Sequence, residues 1–310
     1  MTERPLISLC IPTNGVEEWV FPVLNSIYAQ GVDEKLFEVV VMDNGNNTKF
    51  QEKMGKYVLK HRNLMYETTD AQEFLSEIET YKVANGIFIK FINHRTKLLD
   101  GTLQYFIDFV VKNKDKKPII YFSNGALSKK KVITEYHSFN DFIRRLSYWS
   151  SWSTGMAFWK SDFDSMRGLD QCNILFPHTN ILFAIRTGRN FIVDNKTILD
   201  EIPAGKIPKG RYNLFQAFAI EYPAIITDLY REGDISLETL LKVKKDNLKF
   251  VSILYLDYIL LRKKCSYDLA LYKQSISIFY SNHLVFKNAL QILIKRVIKK
   301  CVYPLQQLKR

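Results

Sequence analysis

The sequence predicts an α/β fold: a mostly parallel sheet flanked by helices, followed by a helical C-terminal region. Three observations carry that expectation. Short, wholly apolar runs rich in β-branched residues alternate with segments of helical periodicity, the pattern of parallel strands buried on both faces. These runs stop at Asn, Asp, Gly or Pro, residues that turn the chain for local steric and hydrogen-bonding reasons. Beyond about Pro203 the strand-like runs cease and only helical periodicity continues.

Leu6–Ile11 reads as a buried strand that breaks into Pro12, Thr13, Asn14 and Gly15. Val20, Phe21, Leu24, Ile27 and Tyr28 then recur at helical spacing over Glu17–Ala29, with Gly31 as the stop. Phe37–Met42 is a second apolar strand and runs out into Asp43, Asn44 and Gly45. A helix over 49–60, a short segment Leu64–Tyr66 and a helix over 71–84 follow. Next come a strand Ile87–Ile92, a helix Leu103–Lys112 and a strand Pro118–Phe122. Gly155–Trp159 reads as a strand near the sheet's edge or switch, Asn180–Thr187 as a helix and Arg189–Asp194 as a strand. The loop 203–211 is dense in Gly, Pro and basic residues, which places two domains at 1–211 and 212–310. There are no internal repeats.

Composition narrows the class. With 47% hydrophobic and 14% aromatic residues the chain can fill a core, so disorder is excluded for most of it. Cys10, Cys172, Cys265 and Cys301 have neither metal-ligand nor disulfide-framework spacing, as in a reduced cytoplasmic protein. No secretory leader is evident, and no apolar run reaches the roughly 18–20 residues that a bilayer span requires. The net charge of +12 is concentrated: Leu269–Arg310 holds eight Lys/Arg and no Asp or Glu. In that tail Leu290, Leu293, Ile294, Val297, Ile298 and Cys301 share one helical face, with Lys295, Arg296, Lys299 and Lys300 opposite. A basic amphipathic helix suits the surface of an anionic membrane, and docking on the protein body is the alternative. A single charged stripe without a recognition motif argues against nucleic acid.

Ligands of open parallel sheets bind where loops leave the carboxyl ends of strands. Three such ends carry polar groups: Pro12-Thr13-Asn14, Asp43-Asn44-Gly45 and Asn93-His94-Arg95. Each alone is equally well explained as turn chemistry. Taken together, the runs LISLCIPTNG (6–15), VLNSIYAQ (23–30) and FEVVVMDNGNN (37–47) resemble the opening of family 2 GT-A glycosyltransferases. The resemblance extends over about residues 5–200 and is best in the first half.

The resemblance implies a Rossmann-like GT-A fold and inverting transfer from a nucleoside diphosphate sugar, a UDP-sugar first, to a glycan or lipid-linked acceptor. Bacterial capsule or O-antigen assembly is the implied setting, in the cytoplasm or peripheral to the membrane. Pro12 and Thr13, with Asn14 beside them, would line the base and ribose, and Asp43, with Asn44, would accept a hydrogen bond from the base. Residues 84–103 stand where the family carries an Asp-x-Asp that holds a divalent cation, but here the positions read Asn93, His94 and Arg95. Mg²⁺ and Mn²⁺ favour carboxylate oxygens, so no metal cofactor is expected. Two explanations stay open. Either Arg95 and the basic loop (Lys206, Lys209, Arg211) supply charge to the diphosphate, or the module is inactive and serves as a binding or scaffold subunit. Where the family carries its acidic base, this chain has His178, Thr179 and Asn180. His178 is a candidate base or a packing residue against Phe176, with Asp70 and Asp100 as alternative carboxylates. The aromatic, hydroxyl-rich segment 147–159 suits a sugar cleft; Trp152 is its candidate contact, Gly155 matches the glycine that lies under the acceptor in the family, and Trp159 reads as core.

Overall fold

The computed structural model describes residues 4–127 and 132–307, with side chains described as far as Lys299. The chain divides into two compact units, Met1–Gly205 and Lys206–Arg310. Lys206, Lys209 and Arg211 therefore belong to the second unit.

Among the described residues the first unit has ten strands: β1 Ile7–Thr13, β2 Phe37–Asp43, β3 Leu64–Thr68, β4 Phe88–Phe91, β5 Thr96–Leu98, β6 Ile119–Phe122, β7 Ile133–Tyr136, β8 Met156–Trp159, β9 Phe191–Asp194 and β10 Leu199–Glu201. Its helices are α1 Glu17–Tyr28, α2 Thr48–Val58, α3 Ser76–Val83, α4 Thr102–Asn113, α5 Phe139–Leu146, α6 Lys160–Ser165 and α7 Pro177–Leu182. Eight strands form one sheet in the order β3-β2-β1-β4-β8-β6-β9-β7. The pairs β3–β2, β2–β1, β1–β4 and β6–β9 are parallel, β8 runs antiparallel between β4 and β6, and β7 lies antiparallel at the edge. β5 and β10 form a separate antiparallel ribbon. The mostly parallel α/β architecture and the helical C-terminal region are those expected from sequence.

Alternation along the strands explains the layers. Ile7, Leu9 and Ile11 of β1 join Val39 and Val41 of β2 in a core with Val20 and Leu24 of α1 and Leu103, Phe106 and Val110 of α4. Successive strand side chains point to opposite faces, and α3 contacts β1 and β2. At roughly 1.5–3 kcal/mol for each large aliphatic side chain buried, this double-sided cover is the main stabilising term.

Of the two places expected for the strand at Gly155–Trp159, edge or switch, the structure shows the switch. β8 sits inside the sheet, where strand direction reverses, and all four of its residues are buried. Its flank is held by Lys90 of β4, which is fully buried and donates to the carbonyls of Phe91, Thr154 and Met156 at 2.8, 2.6 and 3.1 Å. Burial pulls its ammonium down to about 7, while three carbonyls match the three donors of the charged form. The short elements β5, β7, β10, α5 and α6 were not among the sequence expectations. α7 begins at Pro177, before the expected 180–187, because Pro suits the first helical position, where its missing N–H costs nothing.

The second unit is helical: Tyr222–Arg231, Leu237–Leu254, Tyr272–Phe279 and Asn282–Gln307 are its α-helices of eight or more residues. Leu214, Phe215, Ala219, Val251, Ile276 and Val285 pack together in its core. Asn247, almost fully buried, donates to the Phe218 carbonyl and the Tyr280 hydroxyl, both at 2.8 Å. No helix of the described residues is long and apolar enough to cross a membrane.

A Cβ added at Gly155 would run into the ring of Tyr121, which is itself fully buried and donates its hydroxyl to the carbonyls of Trp149 and Trp152. Gly155→Ala is therefore expected to cost about 1–3 kcal/mol, read as a lower midpoint in urea unfolding, with Tyr121→Phe milder because it keeps the ring.

Candidate functional site

Register creates the site. Thr13 and Asp43 are the last paired residues of β1 and β2 and lie side by side. The loops that leave them are tied together: Asn44 N–H donates to the Thr13 carbonyl at 2.9 Å, and Asn47 Nδ2 donates to the Gly15 carbonyl at 3.0 Å. Asn47 also accepts from the Phe50 amide and so caps α2. Gly45 has no room for a side chain, because its Cβ position falls on the backbone of Asn14.

Asp43 is fully buried. One carboxylate oxygen accepts from the Gly45 amide at 2.8 Å and the other from the Tyr66 hydroxyl at 2.9 Å. Burial raises its pKa above the usual carboxylate range, against the lowering effect of those two bonds. Each oxygen keeps acceptor capacity beyond its one bond. Asn44 reaches away from Asp43, donating to the carbonyls of Ala71 and Glu73 at 3.2 and 3.4 Å. Pro12 is half-buried and Asn14 exposed.

The third strand end joins the first two through His94. Thr13 Oγ1 and His94 Nδ1 share a hydrogen bond of 2.9 Å, and the Gly15 amide donates to the same hydroxyl at 3.2 Å. Burial, helped by the Arg95 charge, pulls His94 down to about 4, so its ring is neutral near pH 7. Asn93 Oδ1 accepts from the Arg95 amide at 3.0 Å, a turn-forming bond.

Arg95 departs from expectation. Its guanidinium donates to the Ile202 carbonyl at 2.8 Å, forms an ion pair with Glu201 and lies 5.6 Å from the Trp19 ring centre. Only 12% of its side chain is exposed, so Arg95 is fastened to β10 rather than held open toward a ligand.

For His178 the geometry follows the packing alternative. Its ring is 3% exposed. Nε2 meets the Ser151 carbonyl at 3.0 Å, Nδ1 faces Glu77 at 3.3 Å, and Phe176 packs against it at 5.9 Å. The Ser151 carbonyl only accepts, so Nε2 carries a proton. Nε2 is thus spent on the fold, while Nδ1 is buried against Glu77 without a hydrogen bond, and the 3% exposure places His178 as a packing residue rather than a base open to an acceptor. Its neighbours are equally committed: Thr179 donates to the Ser150 carbonyl and Asn180 accepts from the Asn173 amide.

Gly155 faces Tyr121 inside the sheet, and so is not open to an acceptor. Trp152 is half-buried and Trp159 is core. Asp70 and Asp100 are exposed, as are Lys206, Lys209 and Arg211 in the second unit, where the Lys209 amide donates to Ser266 at 3.0 Å. Sequence reasoning missed Tyr66, Glu77 and Glu201. None carries a motif, since each acts through a partner distant in the chain. Lys90, a charge inside the apolar run IFIKFI, was a readable anomaly.

A divalent cation does not fit the third strand end, which offers an amide, a neutral imidazole tied to Thr13 and a guanidinium. Among the described residues no three His, Cys, Asp or Glu side chains are grouped to hold a metal. The cavity of about 910 Å³ between α4 and β7 lies over β6 and β9, and its lining includes none of these strand-end residues except Asp194 of β9, outside the cluster.

No family model and no curated protein matches the chain. Solved structures do. TarS from S. aureus aligns with a TM-score of 0.52 at 15% identity, over 80% of this chain and 43% of that one. This chain therefore spans under half the length of that TarS structure. TarS 1-349 in complex with UDP-GlcNAc aligns with a TM-score of 0.57 at 16% identity, over 88% of this chain and 79% of that one. The complex with UDP gives 0.53 at 16% identity, over 86% and 76%. The first unit has the GT-A fold, with the glycosyltransferase architecture of TarS.

The His94 contact carries a pH dependence. A folded value near 4 against about 6.5 unfolded means that the unfolded chain binds the extra proton between those limits. Stability is then complete above about pH 6.5 and falls as pH drops toward 4, by about 3 kcal/mol from this group. Urea midpoints at stepped pH are expected to flatten over that window in His94→Asn.

Proposed function

We propose that this chain binds a nucleoside diphosphate sugar at the ends of β1 and β2. It transfers the sugar, with inversion and without a divalent cation, to a glycan or lipid-linked acceptor in surface polysaccharide synthesis. The observation that carries the reading is the Thr13–Asp43 interlock: a buried carboxylate with lone pairs to spare, beside a hydroxyl, at the strand ends of a GT-A sheet. A uracil imide N–H is the donor such a carboxylate would take, and the TarS complexes with UDP and UDP-GlcNAc support a uridine nucleotide.

The departing diphosphate gains negative charge, and a cationic group must meet it. Arg95 is the charged side chain at the third strand end, and its guanidinium keeps donors free beyond those spent on Glu201 and Ile202. In this reading the diphosphate competes with Glu201 for Arg95, a charge-assisted exchange that needs no metal.

A second reading has its own support. Arg95 is already paired and His178 is sealed in the fold, which suits a module that binds nucleotide or glycan without turning it over.

Titration calorimetry with UDP in EDTA, beside nucleoside diphosphate release from a panel of sugar nucleotides and acceptors, separates the two. Asp43→Asn, which keeps an acceptor for Gly45, is expected to weaken UDP binding about 10–100-fold with an unchanged thermal midpoint. Arg95→Ala is expected to lower UDP affinity while leaving uridine affinity unchanged. Binding without turnover for every pair would favour the inactive module. Strict dependence on Mn²⁺ would contradict the metal-free proposal.

A further inference from the structure

Large apolar side chains left exposed are unevenly spread. Of eighteen such residues among those described, twelve lie in the second unit and six on the C-terminal helix Asn282–Gln307. At 100° per residue, Phe286, Leu290, Ile294, Val297 and Ile298 form one continuous stripe about 120° wide. Exposures of 39–57% along Leu290, Ile294, Val297 and Ile298 show that this stripe is turned outward.

The other side of the helix is spoken for within its own unit. Val285 and Ala289 are fully buried. Arg296 pairs with Asp257, whose carboxyl also meets Lys263 at 3.0 Å. Burial alone would raise Asp257, but the bonds from Arg296 and Lys263 outweigh it and hold it below the usual range. The helix is therefore docked by one face while its apolar stripe looks out, so the two sequence readings, docking helix and surface helix, describe opposite sides of one element. Lys300 and Cys301 lie outside the described side chains.

Charge selects the occupant. Lys287 is exposed within the arc of the stripe, Lys295 is exposed beyond its edge and Lys299 toward the opposite side, and no acid occurs from Leu269 to Arg310. A second copy would bring two such cationic helices together, which like-charge repulsion opposes. A lipid bilayer with anionic headgroups matches both properties, taking the apolar stripe at the headgroup boundary and the lysines at the phosphates.

We propose that the outward face of the C-terminal helix docks this protein on an anionic membrane surface, lying in the interface. The inference concerns the second unit and stands independently of the transferase reading.

The test is co-sedimentation of the full chain with phosphatidylcholine vesicles containing about one-third phosphatidylglycerol, against phosphatidylcholine alone. Preferential binding to the anionic vesicles is expected, weakening as salt rises. Ile294→Asp with Val297→Asp, both at exposed positions, is expected to lower bound protein at least about tenfold. Lys295→Glu with Lys299→Glu is expected to abolish the preference for phosphatidylglycerol. Circular dichroism melts matching the parent show that the variants fold. Equal binding to the two vesicle types, or variants that bind like the parent, would overturn the proposal. So would a concentration-dependent dimer in sedimentation velocity that Ile294→Asp dissolves, without vesicle binding.

Discussion

The parallel register of β1 with β2 is the constraint on which the candidate site depends. It sets Thr13 beside Asp43, and every later contact uses that adjacency. The Asn44 amide closes on Thr13, Asn47 closes on Gly15, and Gly45 admits the Asn14 backbone where any side chain would collide. A buried carboxylate without partners would cost several kcal/mol. Asp43 is instead met by the Gly45 amide and the Tyr66 hydroxyl. Satisfying it in this way holds its geometry fixed before any ligand arrives, which lessens the ordering cost of binding.

The third strand end extends the same network by different chemistry. His94 is neutral and bonded to Thr13, with its ring 5.0 Å from that of Trp19. Arg95 turns the other way, to Glu201 and Ile202 at the end of the β5–β10 ribbon. Positive charge at this corner is thus stored in an ion pair, and an anionic ligand would have to exchange with Glu201 to use it. Below the corner, Lys90 is held by three carbonyls that tie β4 to β8. That lysine secures the place where the sheet reverses direction.

Much of this was legible in sequence because strand ends and apolar runs are local signals. The buried runs 6–11, 37–42 and 87–92 gave β1, β2 and β4, and their polar ends gave Thr13, Asp43 and Asn93-His94-Arg95. The strands that escaped notice, β5, β7 and β10, are three or four residues long and owe their conformation to pairing with distant segments. Side-chain commitments were beyond reach for the same reason. Arg95 meets a residue about a hundred positions away, and His178 meets Glu77 at a similar separation. A residue type shows what chemistry is available, whereas the partner decides whether that chemistry faces a ligand or the interior. Asp43 keeps acceptor capacity beyond its two bonds, whereas His178 spends Nε2 on the Ser151 carbonyl and turns Nδ1 to Glu77 inside the fold.

A crystal structure of the chain grown with a uridine diphosphate sugar in the presence of EDTA tests the central claim most directly. The uracil is expected against Thr13 and Asp43, with the imide N–H within hydrogen-bond distance of an Asp43 oxygen and the diphosphate beside Arg95. Nucleotide bound elsewhere, for instance in the cavity between α4 and β7, or bound only when a divalent cation is restored, would contradict it.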